Sequence, residues 1–298
     1  MRCALETQGL AKLYGHRLAL ADCTLTIPTG HVAALVGPNG AGKTTLLHLA
    51  VGLLAPTRGA IRVLGESPAR GARQLAQVGF VAQETPLYED MSVADHLRFG
   101  GSLNPSWDRE LAERRVDQIG LDRAQRAGAL SGGQRAQLAL TLAIAKRPQL
   151  LILDEPVARL DPLARREFLQ QLMEAVAEQG LSVILSSHLV SDLERVCDYL
   201  VILVSSRVQL AGEIDSLLDS HRQLTGPRPG PWGLPEGQEV IEATHTDRQS
   251  TLLVRTDGPI LDPNWGVDRI GLEDLVLAYM RRAGRSAAHS PMASTVDP

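Results

Sequence analysis

Four short stretches of this 298-residue chain carry residues whose types and spacing can do chemistry. The first, GPNGAGKT from Gly37 to Thr44, fits G-x-x-x-x-G-K-[ST]. In such a loop (Gly37, Pro38, Asn39, Gly40, Ala41, Gly42) the backbone N–H groups can face phosphate oxygens. The N-terminus of a following helix adds its positive dipole end, and Lys43 has the reach for β- and γ-phosphates. Thr44 is the expected magnesium ligand. The bland alternative, a glycine turn that merely caps a helix, loses weight because an apolar run precedes the loop and a helical pattern follows it. The second stretch, LLILDEP, is a buried-strand pattern that delivers Asp154 at its C-terminal end, where open parallel sheets place ligands. Asp154 is expected to hold magnesium, directly or through water. A carboxylate at Glu155 can accept a proton from the attacking water or orient it, which predicts hydrolysis and not binding alone. Taken by itself, DEP also suits a polar helix-cap cluster. The third, LSVILSSH, ends on His188, whose imidazole can contact a γ-phosphate and water, or can simply be structural. The fourth, LSGGQ from Leu130 to Gln134, puts bare backbone at the mouth of a helix, far along the chain from the phosphate loop.

The elements that must position these residues follow from hydrophobic periodicity. HVAALVG is a strand running into the glycine loop, and KTTLLHLAVGLL repeats apolar residues at helical spacing. QLLILD and LSVILSS read as further buried strands between helical stretches, the pattern of a parallel sheet covered by helices. The fold class is therefore α/β. LAKLYGHRLALADCTLTIP alternates as strands of an antiparallel layer, and Glu84 to Pro148 is mainly helical, with starts at Ser92, near Asp108 and after Gly133. YLVILVSSRVQLAG gives two more strands. This sets an α/β core at 1–84 and 149–212, and a helical subdomain with LSGGQ at 85–148. A helix and Pro/Gly linker (EIDSLLDSH, TGPRPGPWGLPEG) occupies 213–237, and a small accessory module 238–283, with EVIEA and TLLVRT as strands and LEDLVLAYM as an amphipathic helix. Residues 284–298 are expected to be a disordered tail. No internal repeat is visible.

Composition narrows the class. A hydrophobic content of 44% supports a sizeable packed core. The longest apolar runs fall short of the ~20 residues of a membrane span, and the N-terminus lacks an apolar signal core, so a cytosolic protein is expected. Cys3, Cys23 and Cys197 have no metal or redox spacing and read as packing residues. With 30 basic and 34 acidic residues the formal charge is −4, so no polybasic excess points to nucleic acid as a partner.

GPNGAGKT, LSGGQ, LLILDEP and SSH in this order make residues 4 to 212 resemble the ATP-binding subunit of an ABC transporter. All five LSGGQ positions match, which is far more specific than a phosphate loop alone. The resemblance implies a P-loop NTPase (RecA-like) core, an N-terminal antiparallel β layer, a helical ABC-specific subdomain and a small α+β C-terminal extension. It implies ATP and Mg2+ at the site, with Thr45 closing the phosphate-loop set. It also implies a head-to-tail pair of ATP-binding subunits, identical or not, in which Ser131, Gly132, Gly133 and Gln134 of each complete the nucleotide site of the other. Tyr14, in KLYG, stands in the place of the aromatic that stacks on adenine. Gln83, in GFVAQE, matches the glutamine that touches magnesium and water and joins the core to the helical subdomain. His188 matches the histidine of the γ-phosphate, and Leu160 and Asp161 match a loop that crosses the dimer interface. The chain departs from the family there: Ala158, followed by Arg159, replaces the usual serine, which puts communication between the two sites in doubt.

Related ATPases serve DNA repair, chromosome organisation and translation. Repair and chromosome proteins of the class place long coiled coils between the phosphate loop and LSGGQ, and translation factors usually carry two ATPase halves; this chain has neither feature. Transport remains, through a separate permease, with the subunit held at the cytoplasmic face of the membrane. ETPLYEDMSVADHLRF corresponds to the surface that receives the permease's coupling helix, although its apolar residues equally suit the core of the helical subdomain. The short tail ending in GLEDLVLAYM resembles bacterial export-type subunits. An importer subunit is the nearer rival, and a soluble ATPase acting on nucleic acid or ribosomes the more distant one.

Overall fold

The computed structural model describes residues 2–68, 71–227, 238–260 and 262–289. Strands β1 (Cys3–Tyr14) and β2 (Arg17–Pro28) form a long antiparallel hairpin, joined on the other edge of β1 by β4 (Arg58–Val63). Between them in sequence come β3 (Val32–Val36), the glycine loop and helix α1 (Lys43–Ala50). The short helix α2 (Ala72–Ala76) leads to β5 (Val78–Val81). The central sheet has the order β5-β6-β7-β3-β8-β9, with β6 (Leu150–Asp154), β7 (Ser182–Ser187), β8 (Tyr199–Val204) and β9 (Arg207–Glu213). Every residue of β3, β6, β7 and β8 is buried. Sheets covered on both faces require such continuous apolar runs, which explains why these strands show no alternation. The outermost strand is the exception in an otherwise parallel sheet: β9 runs antiparallel to β8, because only the two-residue turn Ser205–Ser206 separates them.

One face of this sheet packs with α1 against the hairpin layer, in a core that includes Leu5, Leu20, Ile27, Leu35, Leu47 and Ile152. The layers are tied at Ser206, whose carbonyl accepts the Ala21 N–H at 2.7 Å and whose hydroxyl donates to the Leu18 carbonyl at 3.1 Å. The opposite face carries α5 (Gly132–Ala145), α6 (Pro162–Gln179) and α7 (Val190–Leu193) around the fully buried Phe168. Helices α3 (Val93–Leu103) and α4 (Arg109–Gln118) stack with α5 in a smaller core of Val93, Val116, Leu121 and Leu138. Ser92 caps α3 in a reciprocal box with Asp95, and the Asp108 carboxylate caps α4, as the helix starts read from the sequence require.

The C-terminal part differs from the sequence expectation in two places. After α8 (Ile214–Asp219), residues within the segment read as helix and linker form a strand, β10 (His221–Pro227). It lies inside a four-stranded sheet of order β11-β12-β10-β13, with β11 (Gln238–His245), β12 (Gln249–Thr256) and β13 (Gly266–Asp268). Leu224 of β10 is fully buried against Leu252, Val254 and Trp265, so burial in a long-range sheet outweighs the turn residues around it. The remaining linker residues, 228–237, lie outside the described residues. Helix α9 (Leu272–His289) continues past Gly284, where the chain was expected to become disordered; 290–298 lie outside the described residues. Its Leu275, Val276 and Tyr279 share one core with Ile241 and Leu253 of the accessory sheet and Leu200 and Ile202 of the central sheet.

Candidate functional site

The phosphate loop sits where β3 leaves the middle of the central sheet. Gly42, at φ 107, ends the loop in a left-handed turn, and a Cβ there would stand 2.4 Å from the Ala19 carbonyl oxygen. Glycine is thus required twice over, by backbone sign and by close approach to β2. Lys43 opens α1, with Thr44 and Thr45 behind it in the first turn. Its ammonium donates to the carbonyls of Gly37 at 2.7 Å and Pro38 at 3.4 Å and lies 3.2 Å from Glu155 Oε1. Tyr14, Asn39 to Thr45, Gln83 and Glu155 line one open cavity of about 460 Å³. The sequence-expected groups from β1, β3, α1, β5 and β6 therefore converge at one edge of the sheet. Tyr14 is 47% exposed at the end of β1, free to present its ring to a planar group, with the Lys12 ammonium 5.5 Å from its centroid.

Asp154 is the last residue of β6, and Glu155 follows it with φ 46. A non-glycine residue in that region costs ~1–3 kcal/mol and persists only where its surroundings fix it. Ser186 does the fixing: its hydroxyl accepts the Glu155 N–H at 2.8 Å and donates to Asp154 Oδ1 at 2.8 Å. Glu155 Oε2 then meets His188 Nδ1 at 2.6 Å, so the carboxylate stands between the phosphate-loop lysine and the β7 histidine. Sequence reasoning named both neighbours and missed Ser186, whose signal was the buried pair of serines directly after the aliphatic run Val183–Leu185. It also missed Arg17, which lines the same cavity.

LSGGQ lies elsewhere. Ser131 caps α5 and forms a reciprocal box with Gln134: the Gln134 N–H donates to Ser131 Oγ at 3.2 Å and the Ser131 N–H to Gln134 Oε1 at 2.9 Å. Ser131, Gly133 and Gln134 line a cavity of about 380 Å³ with Gln118, Gln137 and Glu167, and it shares no lining residue with the phosphate-loop cavity. The two glycines have different reasons. A Cβ at Gly133 would stand 3.0 Å from the Ala164 Cβ on α6, so helix packing accounts for it. A Cβ at Gly132 would meet nothing within 4 Å. The fold of one chain therefore gives no reason for bare backbone at Gly132. Asp161 caps α6, accepting the Leu163 and Ala164 N–H groups at 3.0 Å each, and Leu160 is buried.

Among the described residues, no group of three His, Cys, Asp or Glu side chains could hold a metal ion unaided. Thr44, Asp154 and Gln83 offer a hydroxyl, a carboxylate and an amide oxygen at one sheet edge. This hard oxygen set fits magnesium, which ordinarily takes one or two carboxylates and completes its shell with water and phosphates.

A strand-loop-helix phosphate cradle on a largely parallel sheet, with buried carboxylates at the tip of β6 two strands away, defines a phosphate-loop nucleoside-triphosphate hydrolase. The matching family model, described as ABC transporter, covers residues 20–158. The chain is 36% identical over 218 residues to the uncharacterized ABC transporter ATP-binding protein YxlF of Bacillus subtilis (strain 168), spanning 72% of each chain. It is 34% identical to the Nod factor export ATP-binding protein I of Cupriavidus metallidurans, over 74% of each. An importer relative, sulfate/thiosulfate import ATP-binding protein CysA 1 of Agrobacterium fabrum, matches at 35% identity over 72% of this chain and 65% of its own length. A solved ATP binding subunit of an ABC transporter superposes with a TM-score of 0.65 at 31% identity, covering 72% of this chain and 92% of that one. The chain belongs to the ATP-binding subunits of ABC transporters and hydrolyses ATP. In this family such subunits power transport, pair with one another and work with transmembrane permeases. No helix among the described residues is long and apolar enough to cross a membrane.

Proposed function

We propose that the chain drives export through a separate permease, from the cytoplasmic face of the membrane. Two ATP molecules join two subunits; hydrolysis and phosphate release part them; and this cycle biases the permease between inward- and outward-facing states. In this reading Tyr14 stacks on adenine, and the Gly37–Thr45 backbone and Lys43 hold the phosphates. Glu155, oriented by His188, takes a proton from the attacking water while Gln83 helps to position that water. Thr44, Asp154 and Gln83 hold magnesium, which when bound offsets charge on the phosphate oxygens. The partner's Ser131, Gly132, Gly133 and Gln134 face the nucleotide from the other side, with Asp161 at the seam.

The observation that carries hydrolysis is the placement of Glu155, buried and bonded between Lys43 and His188 at the phosphate-loop cavity. The observation that supports a permease is an apolar groove of about 570 Å³ between the core and the helical subdomain, lined in part by Leu53, Leu75, Phe80, Tyr88, Phe99 and Trp107. Val93 and Leu97 of the same stretch turn inward, whereas Tyr88 is 61% exposed and Phe99 also reaches solvent. Such a groove suits the apolar face of a short helix. Export is favoured by the resemblance of the segment ending in GLEDLVLAYM to export-type subunits, while the relatives themselves include both exporters and importers.

Affinity purification of the tagged chain from detergent-solubilised native membranes tests the reading. An integral membrane protein should co-purify and raise the ATPase rate. Recovery with ribosomes or DNA instead would overturn it.

A further inference from the structure

Arg17 occupies a place in the nucleotide cavity that no part of the proposed chemistry uses. The turn Gly15–His16 closes the β1–β2 hairpin, and Tyr14 pairs directly with Arg17 across it. Opposed residues of an antiparallel pair project from the same face. Arg17 therefore leaves the hairpin on the side that carries Tyr14, and both line the cavity with Asn39 to Thr45. Its Nη2 lies 3.6 Å from the position a Cβ would take at Gly40, in the middle of the phosphate loop. The neighbouring cation on the hairpin is already engaged: Lys12 donates to the Ala55 carbonyl at 2.8 Å. Among the described residues, Arg17 forms no ion pair with a carboxylate.

A guanidinium between an aromatic platform and a phosphate cradle has one matching chemistry. Its planar fork pairs with two phosphate oxygens at once, and its weak hydration makes leaving water inexpensive. Lys43 approaches from the α1 side of the loop, whereas Arg17 approaches from the hairpin side.

We propose that Arg17 is a second cationic phosphate contact, which closes over the polyphosphate from the β1–β2 hairpin. Because it pairs with Tyr14 and reaches the loop at Gly40, it grips the phosphates that ADP and ATP share, next to the nucleoside. It thereby couples binding of the base to binding of the phosphates and sets a preference for di- and triphosphates over the nucleoside. The inference rests on the nucleotide-site reading above.

The test is calorimetric titration of ADP and of ATP with magnesium into the full chain, at two salt concentrations, for wild type, Arg17→Ala, Arg17→Lys and Lys43→Met. Arg17 is exposed, and nucleotide-free melting of its variants should match wild type. Arg17→Ala should weaken both nucleotides by ~10-fold or more, as loss of charge-assisted bonds does. Its affinity should also fall less steeply with salt. Arg17→Lys should fall between Arg17→Ala and wild type, since a lysine keeps the charge and loses the fork. Two results overturn the role of Arg17 alone: binding by Arg17→Ala within about twofold of wild type while Lys43→Met loses affinity, or a loss confined to ATP. If Lys43→Met binds both nucleotides like wild type, the nucleotide-site reading falls and this inference falls with it.

Discussion

Lys43 Nζ and Glu155 Oε1 are 3.2 Å apart, with the two side chains only 6% and 9% exposed. A buried pair of this kind is costly to break from one side, because the remaining charge is left without a partner. Nucleotide phosphates can replace the carboxylate as the lysine's counter-charge, and the freed carboxylate is then available to water. Glu155→Gln removes the proton acceptor while keeping its shape. Turnover should fall by ~10²-fold or more, and ATP affinity should hold or rise, because the phosphates no longer compete with a carboxylate for Lys43. Steady-state phosphate release and equilibrium binding of a fluorescent ATP analogue read the two effects separately. Unchanged turnover would remove Glu155 from the mechanism.

Ser186 is bonded to both carboxylate residues through one hydroxyl. Ser186→Ala leaves the Glu155 N–H and one Asp154 oxygen without that partner in a buried place, at ~1–3 kcal/mol for each unsatisfied group. The left-handed turn at Glu155 also loses its tie. The expected result is a lower melting temperature together with a fall in kcat larger than any change in ATP affinity. A variant that melts lower and turns over normally would make Ser186 a structural group only.

Gly132 separates the signature stretch from ordinary helix capping. Ser131 and Gln134 form a complete local box and Gly133 packs on Ala164, so only Gly132 has no task within its own chain. Ser131→Arg places a long cation on this surface and should block ATP-driven pairing and hydrolysis, with ATP binding to the single subunit intact. The variant also removes the cap, worth ~1 kcal/mol; Ser131→Asn keeps a capping oxygen and controls for that loss. Light scattering in the Glu155→Gln background, with and without ATP, reports the pairing. Normal dimerisation of Ser131→Arg would sink the two-subunit site.

The phosphate loop, Asp154 and Glu155 were legible because each is announced by an apolar strand that must end at the same sheet edge; the tip of LSVILSS put His188 at that edge too, but only the family resemblance gave it a role. Local order in the chain was enough to place them. Ser186 and Arg17 were not, since their roles depend on contacts across strands: Ser186 acts on a neighbouring strand, and Arg17 on a loop reached only after the hairpin folds over it. The same cause hid β10. HRQLTGP has few strand-favouring side chains, and its pairing with β12 and β13 is set by burial of Leu224 under Trp265. Helix α9 continues beyond the stretch LEDLVLAYM, where Arg281 and Arg285 pair with the mostly buried Glu242, a contact across the chain that local pattern does not announce.

A fully buried His221 joins β10 to α8 and α9 in the C-terminal part, and this contact predicts a pH dependence of stability. The Leu217 carbonyl can only accept, so His221 Nδ1 carries the proton and donates to it at 2.7 Å. Nε2 is then the acceptor for the Tyr279 hydroxyl at 3.0 Å. Burial pushes the His221 pKa below its ordinary 6.5, with the nearby Arg255 and Arg222 acting in the same direction; the Leu217 bond and Glu239 oppose it. Burial likewise pushes Tyr279 above its ordinary 10, so its hydroxyl stays a donor across this range. The unfolded chain accepts a proton on this histidine near pH 6.5, and the folded protein refuses it until a lower pH. Stability from this group is therefore full above pH 6.5, declines as the pH falls through that value, and stops declining below the folded pKa. His221→Gln should melt lower than wild type at about pH 8, because it loses the ring packing on Tyr279, and should show a shallower fall in melting temperature between about pH 7 and 5. Circular-dichroism melts across that range, with ATP absent so that nucleotide binding does not contribute, provide the measurement. Parallel curves for the two proteins would mean that some other group supplies the acid sensitivity.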